Sequence, residues 1–350
     1  MWLLKFFKKM QNIFHDILKV KTRFFTESGG VLPKTDIAFH ILGDLQNERP
    51  LAWVGHALTG NSNPLDWWPG IVGPGKYVDT DKYNVICANV LGSCYGSTGA
   101  HSINPETGKP YMLDFPLITI RDMVKAHEIL RKHLGIEKID LFIGASLGAF
   151  QGIEWSIMQP GLVDRLIFLV AGARTSPWCK AFNEAQRMAM EADPTFFTDS
   201  ENAGANGLKA ARAIGMVSYR NYQTFDITQP DPENGQLENF RACTYQRYQG
   251  EKLAKRYNAH AYYYISKAFD SHDVGRGRGG IKKAIEGVKT NTLCISTDSD
   301  ILFPVEEVKA VADMLPNAQH VTLNSMYGHD GFLIENNKLT AILEAWEQKL

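Results

Sequence analysis

The chain has 350 residues, which is long for one simple domain and ample for a large hydrophobic core. Hydrophobic residues make up 44% of the sequence and charged residues 21%, and these ordinary fractions exclude a disordered, collagen-like or coiled-coil protein. The 37 basic and 38 acidic side chains nearly cancel, so no overall charge attracts nucleic acid or an anionic membrane. We therefore expect a local recognition site and no nucleic-acid partner.

The first eighteen residues have apolar side chains at helical spacing with lysines between them, the pattern of a basic amphipathic helix. The apolar positions are Leu3, Phe6, Phe7, Met10, Phe14 and Ile17. Such a helix can lie on a membrane, but this segment lacks the uninterrupted apolar core and the cleavage site of a signal peptide. We expect no membrane contact, and the role of this segment stays open.

Cysteine usage and the length of the apolar runs indicate the compartment. The five cysteines are scattered, odd in number and free of any C-x-x-C pair, which is typical of a reducing environment. Apolar runs such as residues 166–173 are far shorter than the roughly 20 residues of a membrane-spanning helix. We therefore predict a cytoplasmic protein.

The first half of the chain alternates short apolar runs with amphipathic segments, which predicts a mostly parallel sheet covered by helices. Residues 24–27 and 36–40 are predicted to form an antiparallel hairpin, because glycines and a proline lie between them. Further elements are predicted as strands at residues 51–54, 83–90, 139–143 and 166–171, a helix at residues 120–134 ending at Gly135, and a helix between the last two strands.

The strand pattern stops between residues 176 and 288, where the sequence becomes polar and helical. Strand and helix patterns then return at residues 292–296, 305–315 and 320–323 and after Gly331. We predict an α/β fold with a mostly parallel sheet flanked by helices. Residues 1–175 and 289–350 form its core, and residues 176–288 form an inserted helical lid.

A G-x-S-x-G sequence at residues 144–148 joins a predicted buried strand to a predicted helix, which is the setting of a nucleophile elbow. Glycine is needed on both sides because a Cβ atom there would collide with neighbouring backbone. The pattern alone is common, but these flanks make a chance turn serine the weaker interpretation. We therefore predict that Ser146 is a nucleophile whose hydroxyl is exposed by the turn.

A serine nucleophile needs a base, and the base needs a carboxylate that orients it. In this fold the carboxylate follows a late strand, and the histidine precedes the last helix. His329 stands in a glycine-flanked loop at that point, whereas His127, on the apolar face of a helix, is interpreted as a core residue. Asp298 and Asp300 both fit the carboxylate position. Spacing alone does not separate them, and Asp300 is our first choice.

Acyl transfer also needs hydrogen-bond donors for the oxyanion of the tetrahedral intermediate. The backbone N–H after the nucleophile, that of Leu147, is predicted as the first donor. The second is expected from the loop at residues 56–60, after an early strand, and we choose the Leu58 amide. The alternative for this loop is an ordinary tight connection.

The sequence G-R-G-R-G-G at residues 275–280 formally matches a dinucleotide-binding G-x-G-x-x-G motif. No apolar strand precedes it, so we reject that interpretation. Arg276 and Arg278 could meet a phosphate, but a solvated loop is the favoured interpretation. The chain has no Walker A sequence, H-E-x-x-H or cysteine and histidine cluster, so we expect no metal and no permanently bound cofactor.

Blocks along most of the chain resemble the homoserine O-acetyltransferases, a family of the α/β-hydrolase superfamily. The most specific block is N-V-L-G-S-C-Y-G-S-T-G at residues 89–99, because nothing generic in a hydrolase requires it. Other resembling blocks are T-E-S-G-G-V-L-P at 26–33, G-H-A-L-T-G at 55–60, W-W at 67–68, G-P-G at 73–75, D-T at 79–80, F-P at 115–116, T-I-R-D-M-V at 119–124, A-F-N-E at 181–184, Q-R at 186–187, D-S-D-I-L-F-P at 298–304 and G-H-D at 328–330.

The resemblance implies an α/β-hydrolase fold and an acyltransferase that moves an acetyl group from acetyl-CoA to the hydroxyl of L-homoserine. It implies a ping-pong Ser-His-Asp mechanism in methionine biosynthesis, with Asp300 as the orienting carboxylate. Separately, lid helices with exposed aromatic residues would explain a homodimer formed through the lid. By the resemblance, Arg212 and Tyr219 are expected to face the amino-acid substrate, and Asp330 to receive its ammonium group. The alternatives are a lid salt bridge for Arg212 and a helix cap for Asp330.

Other functions fit parts of the same pattern. The elbow departs from the family at Ala145, Leu147 and Ala149, and residues 198–206 and 228–236 match poorly, which leaves the acyl donor open. Succinyl-CoA as donor, serine as acceptor, and a carboxylesterase are the enzymatic alternatives. A non-catalytic binding scaffold is disfavoured by the intact order of Ser, Asp and His.

Overall fold

The computed structural model describes residues 13–232 and 235–350. Within them the strands are β1 (Ile13–Val20), β2 (Phe24–Phe25), β3 (Val31–Leu32), β4 (Thr35–Leu42), β5 (Leu51–Gly55), β6 (Val72–Gly73), β7 (Val78–Asp79), β8 (Asn84–Ala88), β9 (Ile139–Ala145), β10 (Val163–Leu169), β11 (Asn291–Thr297) and β12 (Ala318–Leu323). Eight of these strands form one sheet in the order β1-β4-β8-β5-β9-β10-β11-β12.

The helices of the same residues are α1 (Pro64–Trp67), α2 (Ile120–His133), α3 (Leu147–Met158), α4 (Pro177–Glu191), α5 (Ala205–Tyr219), α6 (Tyr222–Thr228), α7 (Arg241–Ala254), α8 (Ala259–Asp270), α9 (Ile281–Ile285), α10 (Val305–Met314), α11 (Gly331–Ile334) and α12 (Asn336–Glu347). In this part of the chain, every helix is too short or too polar to cross a lipid bilayer.

In this sheet the successive neighbours β8, β5, β9, β10, β11 and β12 pair in parallel, whereas β4 pairs antiparallel with both β1 and β8. Side chains of the central strand β9 alternate between two apolar clusters, one on each face of the sheet. Phe142 belongs to one cluster, while Leu141 and Ile143 belong to the other. Burial on both faces requires the near-continuous apolar sequence of β9. The predicted fold class is confirmed.

The prediction of an amphipathic helix at the start of the chain is wrong for residues 13–18, and its earlier positions lie outside the described residues. Residues 13–20 form strand β1, which pairs along β4 from Ile13 opposite Leu42 to Val20 opposite Thr35. Without β1, the backbone of β4 would be an unpaired sheet edge. Pairing satisfies those backbone groups, and Leu18 packs against the core as well.

The predicted opening hairpin has the wrong partners. Strand β2 does form an antiparallel pair, but with β3, so that Phe24 lies opposite Leu32. Strand β4, the second predicted partner, pairs with β1 and β8 instead. The glycines close a tight turn between β2 and β3, in which the Thr26 amide donates to the Gly30 carbonyl at 2.9 Å. The proline then separates this small hairpin from β4.

Between β10 and β11 the described residues form helices α4 to α9 and no named strand. Helix α5 packs against both α4 and α7, and α8 packs against α4. The lid boundaries at residues 176 and 288 stay a prediction.

The arginines of the glycine-rich loop at residues 275–280 form ion pairs with carboxylates of the protein. Neither of the two interpretations from the sequence, a phosphate-binding loop or a solvated loop, describes this arrangement well. Arg276 pairs with Glu27 at 2.8 Å, and Arg278 pairs with Glu154. Arg121 joins the two pairs, since it contacts Glu27 at 2.7 Å and Glu154 at 3.0 Å. Because Glu154 lies on α3, this network ties the end of the helical insertion to the core.

Candidate active site

Ser146 lies at the junction of β9 and α3 in a strained backbone conformation. Its φ and ψ angles are 55° and −119°, a region that side-chain-bearing residues rarely adopt. The Ser146 amide donates to the Leu169 carbonyl of β10 at 3.0 Å, and its carbonyl accepts from the Phe150 amide in α3 at 3.1 Å. The ends of the strand and the helix therefore hold the turn in place.

The two glycines of the elbow are required by close backbone contacts. A Cβ atom on Gly148 would lie 2.1 Å from the Gly55 carbonyl oxygen at the end of β5. One on Gly144 would lie 2.4 Å from the carbonyl carbon of Gly148. Both distances are far below any real contact, so only glycine lets the elbow turn this tightly beside β5.

His329 and Asp300 form a buried hydrogen-bonded pair. Nδ1 of His329 lies 2.8 Å from Oδ2 of Asp300. The other carboxylate oxygen, Oδ1, accepts from the amides of Leu302 at 2.7 Å and Phe303 at 3.1 Å, which fixes the orientation of the carboxylate. Asp298 instead accepts from the amide of Ser325 at 2.9 Å. Of the two candidates, the structure brings Asp300 to the histidine.

The charge of this pair favours a protonated histidine. Burial of the imidazole acts to lower the pKa of His329, but the charge and hydrogen bond of Asp300, with the charge of Asp330, outweigh burial. The pKa of His329 therefore lies above its ordinary value of about 6.5. An imidazole with this environment can accept a proton and stabilise the resulting imidazolium.

Six of the predicted site residues line one open cavity. They are Leu58, Ser146, Arg212, Tyr219, His329 and Asp330. Leu147, the remaining oxyanion candidate, is the first residue of α3, and its side chain is fully buried in the core. The first amides of a helix have no partner within the helix. The Leu147 amide therefore adjoins Ser146 and is free to donate.

Arg212 and Tyr219 reach the cavity from α5. The guanidinium carbon of Arg212 lies 5.3 Å from the centroid of the Tyr219 ring. The Tyr219 hydroxyl lies 3.2 Å from that of Tyr262. Within residues 13–232 and 235–350, no carboxylate lies within ion-pair distance of Arg212. The alternative of a lid salt bridge therefore has no partner in this part of the chain.

Asp330 has a partner that the sequence analysis did not assign. Oδ2 of Asp330 lies 3.2 Å from Nε of Arg220, close enough for an ion pair although the two groups are not aligned for a hydrogen bond. Asp330 precedes α11, but its side chain makes no capping hydrogen bond there. Arg220 therefore lies beside Asp330 as its counter-ion, and Asp330 still lines the cavity.

Comparisons with known proteins identify the family. A family model described as an alpha/beta hydrolase fold matches residues 54–335. The homoserine O-acetyltransferase of Cyclobacterium marinum is 46% identical over 321 residues, which cover 91% of this chain and 91% of that protein. The chain belongs to the homoserine O-acetyltransferase family. The predicted resemblance and the prediction of an enzyme are thereby confirmed.

The solved structures that are similar to this chain include both homoserine O-acetyltransferases and esterases. The homoserine O-acetyltransferase structure from Staphylococcus aureus is 30% identical, with a TM-score of 0.79, over 96% of this chain and 95% of that chain. Esterase E22 is 26% identical, with a TM-score of 0.85, over 95% of this chain and 99% of that chain. The fold therefore serves both acyl transfer and hydrolysis, and the residues of the cavity must decide between them.

Two polar residues of this homoserine O-acetyltransferase family member carried no role in the sequence analysis. Asn183 lines the cavity, and its Nδ2 donates to Oδ1 of Asp270 at 2.7 Å. Gln151 is fully buried, and its Nε2 donates to the carbonyls of His56 at 3.2 Å and Leu147 at 3.1 Å. In the sequence, the signal for Gln151 was a glutamine one turn after the elbow, in a helix predicted to pack on the sheet. A side-chain amide buried there needs hydrogen-bond partners.

Proposed function

We propose that this enzyme transfers an acetyl group from acetyl-CoA to the hydroxyl of L-homoserine, through an acyl-enzyme on Ser146. The observation that carries the proposal is the cavity, where the serine and the histidine–aspartate pair adjoin one cation and one anion suited to a free amino acid. The names of the curated relatives support homoserine as the acceptor and acetyl as the transferred group. We assign the reaction to methionine biosynthesis in the cytoplasm.

The first half-reaction acylates Ser146. His329 removes the proton from the Ser146 hydroxyl, and the oxygen attacks the thioester carbonyl of acetyl-CoA. The amides of Leu58 and Leu147 donate to the oxyanion of the tetrahedral intermediate. When the intermediate collapses, the carbon–sulfur bond breaks, and the thiolate of CoA takes the proton from His329. Acetyl-Ser146 and free CoA remain.

The second half-reaction reverses these roles with a different nucleophile. His329 removes the proton from the homoserine hydroxyl, whose oxygen attacks the acetyl-Ser146 carbonyl. The same two amides donate to the new oxyanion, and Ser146 leaves with the proton that His329 held. Water competes for the acyl-enzyme, so helices α4 to α8 must cover the site and hold the hydroxyl near the ester carbon. We assign the lid role to residues 176–288.

Charge complementarity supports an amino acid as the acceptor. The guanidinium of Arg212 suits the substrate carboxylate, because its planar donors can bind both oxygens. Asp330 suits the substrate ammonium, and Arg220 lies beside it at ion-pair distance. The hydroxyl of Tyr219 offers a further polar contact on the Arg212 side of the cavity. We therefore assign the amino-acid site to Arg212, Tyr219 and Asp330.

The same charges favour acetyl over succinyl as the transferred group. Among the described residues that line the cavity, Arg212 is the only arginine or lysine. In a ping-pong reaction the acyl group is still on Ser146 when the amino acid enters. A succinyl group and an amino acid would then place two carboxylates beside one guanidinium, with Asp330 repelling both. A neutral acetyl group avoids this conflict.

We also propose a homodimer formed through the lid. Apolar side chains are exposed on α5 and α6: Val217 at 49%, Tyr222 at 80% and Ile227 at 62%. Exposed apolar side chains on adjacent helices favour burial in an interface. Sedimentation velocity is expected to give the mass of two chains, and a single-chain mass at micromolar concentration would contradict the proposal.

Product identification tests the proposed function. The purified enzyme is incubated with acetyl-CoA or succinyl-CoA, each with homoserine, serine or no acceptor, and products are identified by mass spectrometry. O-acetylhomoserine is the expected main product, with CoA release that depends on homoserine. Equal CoA release without an acceptor would instead indicate an esterase, and a succinylated or serine-derived product would replace the donor or the acceptor.

Replacing Arg212 with alanine is expected to separate the two half-reactions. Acylation of Ser146 by acetyl-CoA should keep its rate, because Arg212 serves only the amino acid. The KM for homoserine should rise about 10- to 100-fold, the range for loss of a hydrogen bond to a charged group. Arg247→Ala, an exposed arginine on α7, is the control. Unchanged homoserine kinetics in Arg212→Ala would remove this assignment.

A further inference from the structure

The loop that carries the second oxyanion donor is held from outside the cavity. After β5, residues 56–60 form a turn in which the Gly60 amide donates to the Ala57 carbonyl at 2.8 Å. Two side chains from the connection between α7 and α8 bind two further carbonyls of this turn. The Tyr257 hydroxyl donates to the Leu58 carbonyl at 3.1 Å, and Nη1 of Arg256 donates to the Thr59 carbonyl at 2.7 Å.

These contacts form a small connected group, which we call the loop clamp and define as Tyr95, Arg256 and Tyr257. Nη1 of Arg256 also lies 2.9 Å from the Tyr95 hydroxyl. The rings of Tyr95 and Tyr257 meet edge to face, with centroids 5.7 Å apart. Tyr257 is buried, so packing fixes its ring and with it the position of the hydroxyl oxygen.

The direction of the Leu58 amide depends on the peptide plane that it shares with the Ala57 carbonyl. That carbonyl is held by the Gly60 amide at 2.8 Å, and Tyr257 and Arg256 hold the next two carbonyls, those of Leu58 and Thr59, inside the same turn. Within the described residues, the Leu58 amide donates to no protein acceptor, and Leu58 lines the cavity beside Ser146. A donor without an internal partner keeps its direction only if its neighbours are held. The carbonyl side of Leu58 is held by Tyr257.

We propose that the loop clamp positions the Leu58 amide for the oxyanion, so that Tyr257 and Arg256 are positioning residues for acyl transfer although neither lines the cavity. The inference rests on the proposed function, because it assumes an oxyanion formed at the carbonyl attacked by Ser146. It gives the helical insertion a second task beyond covering the site. An alternative, purely structural role would be to hold the insertion on the core.

The test is Tyr257→Phe, which removes one hydroxyl and keeps the ring. The probe is p-nitrophenyl acetate, because the release of p-nitrophenol reports acylation of Ser146 without acetyl-CoA or homoserine. We expect the acylation rate constant to fall about tenfold, which is less than the roughly 100- to 1,000-fold effect of removing an oxyanion donor. The ester dissociation constant, obtained from the concentration dependence of the burst rate, and the thermal unfolding midpoint should stay close to native values. The burst amplitude per chain should also stay close to native as long as acylation remains faster than deacylation.

Tyr264→Phe is the matched control. Tyr264 lies on α8 and is as buried as Tyr257, with 6% and 5% of their surfaces exposed. Its hydroxyl donates to the Leu113 carbonyl at 2.6 Å, and neither Tyr264 nor Leu113 lines the cavity. This variant should keep the native acylation rate. A second variant, Arg256→Gln, removes the guanidinium at the Thr59 carbonyl and should slow acylation as Tyr257→Phe does.

The outcomes distinguish the clamp from the proposed function. If the native enzyme shows a burst but transfers no acetyl group to homoserine, the proposed acceptor is wrong and the clamp is still judged by Tyr257→Phe. Acylation rates within twofold of native in both Tyr257→Phe and Arg256→Gln would overturn the clamp. The clamp would also be overturned if the variants lost activity only through a smaller burst amplitude or a lower unfolding midpoint. A purely structural role of these residues would give that result.

Discussion

Alanine at position 146 is expected to lower kcat by roughly a millionfold, the scale measured when a serine nucleophile is removed from a Ser-His-Asp enzyme. The hydroxyl is the only group that becomes covalently bonded in the proposed reaction, so nothing else in the cavity can take its place. The cavity and its charged residues remain, and Ser146→Ala should therefore still bind homoserine. Release of CoA, followed with a thiol reagent, measures the loss.

Ser156→Ala is the control for this substitution. Ser156 lies on the same helix, α3, and its hydroxyl donates to the Gly152 carbonyl at 2.9 Å, away from the cavity. It should retain native turnover with at most a small loss of stability. In the native enzyme a fluorophosphonate probe should label Ser146. More than about one per cent residual activity in Ser146→Ala would disprove the covalent mechanism.

Most elements that carry the site could be predicted because their signals are local. The apolar run of β9, the two glycines of the elbow and the serine between them are adjacent in sequence, and each has a steric or solvation reason to be there. The glycine-flanked histidine before the closing helix is equally local. For this reason the sheet, the elbow and the order of the three residues follow from sequence patterns.

Spacing alone could not choose between Asp298 and Asp300, because they are two residues apart and both follow β11; only the family resemblance pointed to Asp300 before the structure did. What separates them is a distant contact: Asp298 binds the Ser325 amide, whereas Asp300 reaches His329. A helix was also predicted at residues 13–18, since the spacing of their apolar side chains suits a helix. Pairing with the open edge of β4 prevails over that local periodicity.

Contacts between distant segments that belong to no known catalytic pattern could not be predicted. Arg220 beside Asp330 and Tyr257 beside Leu58 join residues more than a hundred positions apart, and no periodicity marks them. The arginines of the glycine-rich loop are a similar case. Their partners, Glu27 and Glu154, come from the start of the chain and from α3, so the sequence showed two cations but not the carboxylates that pair with them.

A comparison of Asp300→Asn with Asp298→Asn tests which carboxylate orients the histidine. Asparagine at position 300 keeps the size of the side chain, but its amide group can donate to Nδ1 of His329. The ring proton would then sit on Nε2, the nitrogen that must accept the proton of Ser146. We expect kcat to fall about ten-thousandfold, the scale seen when the aspartate of another Ser-His-Asp enzyme is changed to asparagine.

Asp298→Asn should change kcat by less than about threefold, because asparagine keeps an oxygen that can accept from the Ser325 amide. The two variants should also differ in pH dependence. The charge of Asp300 raises the pKa of His329 against the effect of burial, so native activity is lost on acidification at a pH above that of an ordinary histidine. Removing that charge lowers the pKa, and the residual activity of Asp300→Asn should persist to lower pH. Equal losses in both variants, or a shifted acid limb in Asp298→Asn alone, would reassign the role of Asp300.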